Sequence, residues 1–260
     1  MQPAYLLQWL DHVPDLLALS RAYPEQFPYL LESAARGPLG GHSLLLFASG
    51  EVLRRNADGA VEGPGDSEGF FARLRQWYGR EALPTTGAVE GNAPPFAGGW
   101  FIYLGYEMAA EIEPTLQLPR NDTGLPDAVA HRCPAAIIIY HGSGRAASDR
   151  AAVVAESPAA LAQVLEWVGK AAVVGVKGAE PAGPELAGIT GEDPARFAAS
   201  VRRVHEYLRA GDVFQVNISR PWTGRFRAPP QRLRRAGLAE LCNKLRCWIT
   251  SRSSSAWEGR

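Results

Sequence analysis

The stretch from Asp193 to Ser219 constrains the fold most, because it predicts a helix, a glycine stop and a strand in direct succession. The Asp193 carboxylate can cap the helix and Pro194 suits its first position. Apolar residues then recur at helical spacing until Gly211, which predicts the helix end. From residue 213 the period changes to two, with apolar Phe214, Val216 and Ile218 alternating with polar Gln215, Asn217 and Ser219.

The polar side of this predicted strand has two interpretations. Gln215, Asn217 and Ser219 are neutral hydrogen-bonding residues, so they can form one wall of a binding site in the core of a domain. Alternating polar residues are also typical of a sheet face that simply contacts water. Both interpretations place these side chains on one face of the strand.

Composition excludes several classes of protein. Lys plus Arg and Asp plus Glu both number 27, so no overall field attracts nucleic acid or an anionic membrane, and a small-molecule substrate fits better. The three cysteines are too few and scattered for a disulfide framework, which predicts a reducing compartment, the cytoplasm. The amino terminus carries Asp11 and Asp15 and makes a poor signal peptide, and no apolar run is long enough to cross a bilayer.

Local patterns predict an α+β fold of antiparallel sheets flanked by helices. Short apolar runs at 27–31, 43–48 and 100–104 indicate strands, and 135–141 with 151–155 indicate a hairpin. One-sided helices are predicted at 68–78, 106–112 and from 158 onward, and paired Gly98 and Gly99 indicate a close approach of backbone or ligand. The predicted organisation is a domain at 1–174, a Gly/Pro-rich linker at 175–193, the first helix and strand of a second domain at 194–228, and an atypical segment at 229–260.

The last segment differs in composition from everything before it. Residues 229–260 contain seven basic and two acidic residues and two of the three cysteines. This break predicts a frame-shifted or truncated reading of a longer sequence. The alternative is a genuine basic tail that acts as an interaction arm.

Common active-site motifs are missing from the sequence. It has no phosphate-cradling G-x-x-x-x-G-K-[ST], no G-x-S-x-G and no C-x-x-C. His131, Cys133 and His141 lie close in sequence, but H-x-C is not a usual ligand spacing, so we predict no metal site there. Glu107, Glu111 and Glu113 can bind a divalent ion in principle, although a solvated helix face is the favoured interpretation.

The segment AGDVFQVNIS at 210–219 resembles the chorismate-using synthases, in which a segment of this pattern joins the amino-terminal region to the catalytic core. That family includes component I of anthranilate synthase and of aminodeoxychorismate synthase. Asn217, directly after FQV, looks more like the aminodeoxychorismate branch. The resemblance covers about residues 1–228.

Two further elements resemble the family's amino-terminal domain. Leu30 to Ser33 reads LLES and Ser43 to Leu46 reads SLLL. In some members this domain binds tryptophan, and the resemblance implies that Ser33 is the contacting position. The alternative is a buried strand whose Ser33 is satisfied by backbone groups.

The resemblance also implies a chemistry and partners. Family members hold chorismate beside Mg²⁺ and aminate it with ammonia from a glutamine amidotransferase, and the aminodeoxychorismate product leads to 4-aminobenzoate and folate. The nucleophilic lysine of that branch lies in a Pro-Ile-Lys-Gly-Thr element that this sequence lacks, and the glutamates that bind magnesium are not matched either. Lys177 shares only a Lys-Gly pair and receives no role. We therefore assign no catalytic residue and no metal ligand, and predict that this chain is inactive alone. The alternatives are anthranilate synthase component I, or a non-catalytic module that binds an aromatic amino acid or docks the amidotransferase.

Overall fold

The computed structural model describes residues 5–33, 40–81, 93–121, 124–142, 148–174, 186–218, 220 and 222–226. The chain divides into two compact units, Met1–Gly178 and Ala179–Arg260. Strands and helices are mixed and every strand pair is antiparallel, so the predicted α+β class is confirmed.

The helices and strands have the following bounds. The strands are β1 (Leu6–Trp9), β2 (Tyr29–Leu31), β3 (His42–Phe47), β4 (Val52–Arg55), β5 (Val61–Glu62), β6 (Gly99–Leu104), β7 (Ala128–Cys133), β8 (Ala135–Tyr140), β9 (Arg150–Ala155), β10 (Leu186–Gly191) and β11 (Trp222–Phe226). The helices are α1 (Leu16–Ala22), α2 (Phe70–Glu81), α3 (Ala109–Ile112), α4 (Pro158–Val174) and α5 (Pro194–Ala210). A short 3-10 turn, Tyr106–Met108, leads into α3.

The first unit contains two antiparallel sheets. One has five strands in the order β1-β9-β8-β3-β2, and the other has four in the order β5-β4-β7-β6. The chain passes from one sheet to the other between β7 and β8, where Pro134 is the single connecting residue. Proline suits this position because it lacks the N–H that a sheet ladder would use.

Three buried clusters hold these sheets between helices. The first joins one face of the five-stranded sheet to α1 and α4. The second joins the opposite face to residues of β6 and β7, so the two sheets pack against each other. The third joins the four-stranded sheet to α2 through Phe70 and Trp77, both fully buried. Strand β8 is covered on both faces, which explains its unbroken AAIII run.

Most local predictions for the first unit are confirmed. The hairpin forms as β8 and β9, and α4 begins after Ser157, whose Oγ accepts from the Ala160 N–H at 3.2 Å. At Gly98 the close approach is made by a side chain rather than by backbone or ligand, since φ is +112° and an added Cβ would overlap the side chain of Glu156. Only glycine fits such a position. Strand β1, helix α1 and strand β7 add to the predicted elements.

The second unit confirms the helix and corrects the strand. Asp193 caps α5 by accepting from the Ala195 N–H at 2.9 Å, and Gly211 ends it in the left-handed region at φ +80°. Residues 213–218, predicted as a strand, form no strand in the structure, and Phe214 is fully exposed. An alternating pattern becomes a strand only when a neighbour pairs with its backbone, and β10 pairs instead with β11 at Trp222–Phe226.

Strand β10 lies inside the segment predicted as a linker, at residues 186–191 of 175–193. The domain boundaries at 174 and 193 remain a prediction. Residues 175–185, Ser219 and 227–260, including the basic segment, lie outside the described residues. Within the described ranges, no helix combines the length and apolar character needed to cross a membrane.

Candidate functional site

The structure brings together two of the three residues predicted as a polar wall. Directly after α5, the amide nitrogen of Gln215 donates to Asn217 Oδ1 at 3.4 Å, so both side chains point to the same side of an extended segment. Both are exposed and neutral. Such amides can donate to and accept from a polar small molecule without opposing its charge. Ser219 lies outside the described residues.

Ser33 lies in the first unit, just beyond the end of β2. Its backbone N–H donates to Ser43 Oγ at 3.1 Å, which ties the end of β2 to the beginning of β3. The tryptophan-contacting role implied for Ser33 stays a prediction. Ser33 belongs to the first unit, and the pair Gln215 and Asn217 belongs to the second.

A chain of hydrogen bonds that the sequence analysis missed begins at this serine. Ser43 Oγ lies 2.8 Å from His141 Nε2, and His141 Nδ1 lies 2.9 Å from Asp149 Oδ2. An ionised carboxylate only accepts, so Nδ1 carries a hydrogen, and in the neutral imidazole Nε2 then accepts from the Ser43 hydroxyl. Ser43 is 2% exposed, so its hydroxyl is closed to a substrate and this relay positions chain segments.

The contact between His141 and Asp149 could have been predicted from the register of the β8–β9 hairpin. Tyr140 pairs with Arg150, and continuing this register places His141 opposite Asp149. The contribution of Ser43 is not local, because it comes from β3, 98 residues before the histidine. We name Ser33, Ser43, His141 and Asp149 the Ser43 relay.

The residues considered as metal ligands do not converge. His131 Nδ1 pairs with the Tyr29 hydroxyl at 3.0 Å, whereas His141 belongs to the Ser43 relay. Cys133 is fully buried, and burial raises the pKa of its thiol to about 11, which disfavours the thiolate that binds metals. Burial also lowers the pKa of His131.

The glutamates that follow β6 also have separate roles. Glu111 accepts from Arg55 Nη1 at 2.6 Å and from the Phe71 N–H at 2.8 Å. Its carboxylate therefore caps the amino-terminal end of α2, where a negative charge is favourable. Glu113 accepts from Thr115 Oγ1 at 2.7 Å. The described residues include no group of three His, Cys, Asp or Glu side chains that could hold a metal. The described residues alone do not form the Mg²⁺ site that the family resemblance implies.

Comparisons with known proteins identify the class. Residues 57–252 match the family of chorismate binding enzymes. This match spans more than half of the sequence, so the chain belongs to the chorismate-binding enzyme family. It also includes residues 229–252 of the basic segment, and it therefore gives no support to the frame-shift hypothesis.

The chain is similar to several anthranilate synthase components. It is 35% identical over 156 residues to anthranilate synthase component 1 of Cereibacter sphaeroides, covering 56% of this chain and 31% of that protein. It is 26% identical over 257 residues to the component 1 of Acinetobacter calcoaceticus, covering 90% of this chain and 49% of that protein. The crystal structure of anthranilate synthase component I from Streptococcus pneumoniae TIGR4 gives a TM-score of 0.42 at 18% identity, covering 68% of this chain and 40% of that one. The chain spans half or less of the length of these relatives.

Proposed function

We propose that this chain is part of component I of aminodeoxychorismate synthase, in which chorismate is aminated to 4-amino-4-deoxychorismate for 4-aminobenzoate and folate synthesis. Family membership supports chorismate as the substrate. The observation that carries the branch is Asn217 after Phe214, Gln215 and Val216. Chorismate, a glutamine amidotransferase that supplies ammonia, Mg²⁺ and a cytoplasmic location are parts of this proposal.

In such a site, this chain contributes the side-chain amides of Gln215 and Asn217, which contact the substrate. Chorismate carries carboxylates and a hydroxyl, and a neutral amide pair can hydrogen-bond to these groups and fix their orientation. Orientation of a bound reactant is a large part of catalysis. The lysine and glutamates of the branch have no counterpart in the sequence, so we expect Gln215 and Asn217 to bind and orient rather than to react.

A second candidate product is anthranilate. The relatives from Cereibacter sphaeroides and Acinetobacter calcoaceticus are both named anthranilate synthase component 1. This name favours the tryptophan branch, whereas Asn217 favours the folate branch. The two enzymes are distinguished by their products, anthranilate and 4-amino-4-deoxychorismate.

The product assay tests the proposal. The purified chain is incubated with chorismate, Mg²⁺ and ammonium, and products are separated by chromatography with standards for anthranilate and, after lyase treatment, 4-aminobenzoate. We expect no product from the chain alone. Any turnover contradicts the proposed inactivity, and its product identifies the branch.

Binding measurements separate this proposal from a non-catalytic module. Calorimetry with chorismate is compared for the parent chain and Asn217→Ala, and calorimetry with tryptophan for the parent and Ser33→Ala. A pull-down with the amidotransferase tests docking. Chorismate binding weakened by Asn217→Ala supports the proposed substrate site, whereas tryptophan binding or docking without chorismate binding favours the module.

A further inference from the structure

Three separate segments of the first unit meet at the Ser43 relay. Ser33 follows β2, Ser43 lies in β3, and His141 and Asp149 lie at the loop end of the β8–β9 hairpin. The His141 N–H also donates to Gly41 O at 2.8 Å, so the histidine backbone is fixed as well as its ring. The ring is 5% exposed and Asp149 is 25% exposed.

Each hydrogen bond in the relay has a defined donor and acceptor. The Ser33 N–H donates to Ser43 Oγ, and in the neutral state of the imidazole the Ser43 hydroxyl donates to His141 Nε2. The His141 Nδ1–H donates to Asp149 Oδ2, and the second oxygen of Asp149 accepts from the Gly142 N–H at 3.2 Å. The relay is therefore complete only when the imidazole is neutral, since Nε2 must accept.

We propose that the Ser43 relay is a proton-controlled latch that holds the end of β2 to the sheet. When His141 takes a proton, Nε2 becomes a donor and no longer accepts from Ser43. The serine oxygen then faces two donors, His141 Nε2–H and the Ser33 N–H, while its own hydrogen loses its acceptor. The oxygen can accept from both donors, but Ser43 is buried and water does not readily replace the acceptor that its hydrogen has lost. The hydroxyl must therefore turn toward another acceptor, and this turn weakens the contact with Ser33.

Charged and titratable groups from several elements lie near His141. From the β9 side, Asp149 is hydrogen-bonded to the ring, and Arg150 lies over the Trp9 ring at 3.8 Å from its centroid. On the β3 side, His42 packs edge-on against Tyr140, with ring centroids 5.1 Å apart. Beyond β2, Glu32 precedes Ser33. Asp149 fixes the Nδ1–H tautomer, which leaves Nε2 as the position where the proton is taken up.

Nuclear magnetic resonance tests the latch on the ¹⁵N-labelled 260-residue chain. Imidazole ¹⁵N shifts report the His141 tautomer, and amide hydrogen exchange, corrected for its intrinsic pH dependence, reports protection at Ser33. On acidification from about pH 8 to about pH 5, we expect Ser33 protection to fall about tenfold. The amide of Ile138 in the centre of the same sheet serves as the internal reference and keeps its protection.

Two variants sharpen the test. Ser43→Ala removes the acceptor, so we expect low Ser33 protection at both pH values. His12→Gln removes a histidine outside the relay and keeps the parent response. The latch is overturned if parental His141 has the Nε2–H tautomer, if Ser33 protection is unchanged on acidification, or if the response persists in Ser43→Ala. If Ser43→Ala does not fold, the tautomer and the pH response of the parent still decide.

Discussion

At the scale of single residues, Arg132 does most to join the layers of the first unit. Its guanidinium donates to Glu156 Oε1 at 2.8 Å, to Glu81 Oε2 at 3.0 Å and to Gly99 O at 2.9 Å. It also lies over Trp100, 4.5 Å from the ring centroid. The arginine side chain is 9% exposed. This burial of a charged group is tolerated because its N–H donors are hydrogen-bonded to carboxylates and to a backbone carbonyl.

Replacement of Arg132 should therefore destabilise the fold strongly. Arg132→Met keeps much of the side-chain volume but leaves the carboxylate of Glu156, which is 12% exposed, without its partner. We expect a loss of about 3–5 kcal/mol in the free energy of unfolding, measured by urea denaturation. Glu166→Gln is the matched control, because it breaks the exposed pair with Lys170 and should cost about 0.5 kcal/mol or less. Equal losses in the two variants would contradict this role.

Cys133 should be an unreactive thiol. It is fully buried, and its pKa of about 11 lies above the ordinary value of 9.0, so at pH 8 its thiolate fraction is about 100-fold below that of an ordinary thiol. In a Cys242→Ser/Cys247→Ser chain, we expect thiol reagents to label Cys133 only after urea unfolding. Rapid labelling of the folded chain would show that this side chain is accessible.

At the scale of elements, local signals predicted helices better than strands. Helix α5 is bounded by Asp193 and Gly211, whose effects act within one turn of the chain. The strand predicted at 213–219 does not form over its described residues 213–218, because its period-two pattern carries no information about a partner, and β10 pairs with 222–226 instead. For the same reason the predicted polar wall could be placed only in part, and the Ser43 relay was missed, since its members come from strands far apart in sequence.

Three glycines should respond to alanine in different directions. Gly79 lies in α2 with open space where the added Cβ would lie, so Gly79→Ala should stabilise by about 0.5–1 kcal/mol. Gly50 has φ +92° and open space, so Gly50→Ala should cost about 1 kcal/mol through backbone strain alone. Gly98 combines φ +112° with a Glu156 side chain that an added Cβ would overlap, and Gly98→Ala should cost more than about 2 kcal/mol. Urea midpoints of the three variants give the order, and any other order contradicts the packing argument.

At the scale of the whole molecule, the buried apolar side chains among the described residues are concentrated in the first unit. All three buried clusters consist of residues before Gly178, and they cover both faces of the five-stranded sheet. In the second unit, α5 has no buried residue, and Phe214, Val216 and Ile218 after it are exposed. A helix gains most of its stability from burying an apolar face. The first unit therefore contains what it needs to fold independently, whereas the described part of the second does not.

Separate fragments test this difference. We expect residues 1–178 to fold alone. The unfolding transition that exposes Trp77 should have the same urea midpoint in this fragment as in the full chain, because that side chain is buried within the first unit. We expect residues 179–260 alone to show little helix by far-ultraviolet circular dichroism, since a helix of 17 residues without buried contacts is marginal in water. The full chain is the control for both. A lower midpoint for the first fragment would mean that its core depends on the second unit, and a strongly helical second fragment would mean that α5 is stabilised within its own unit.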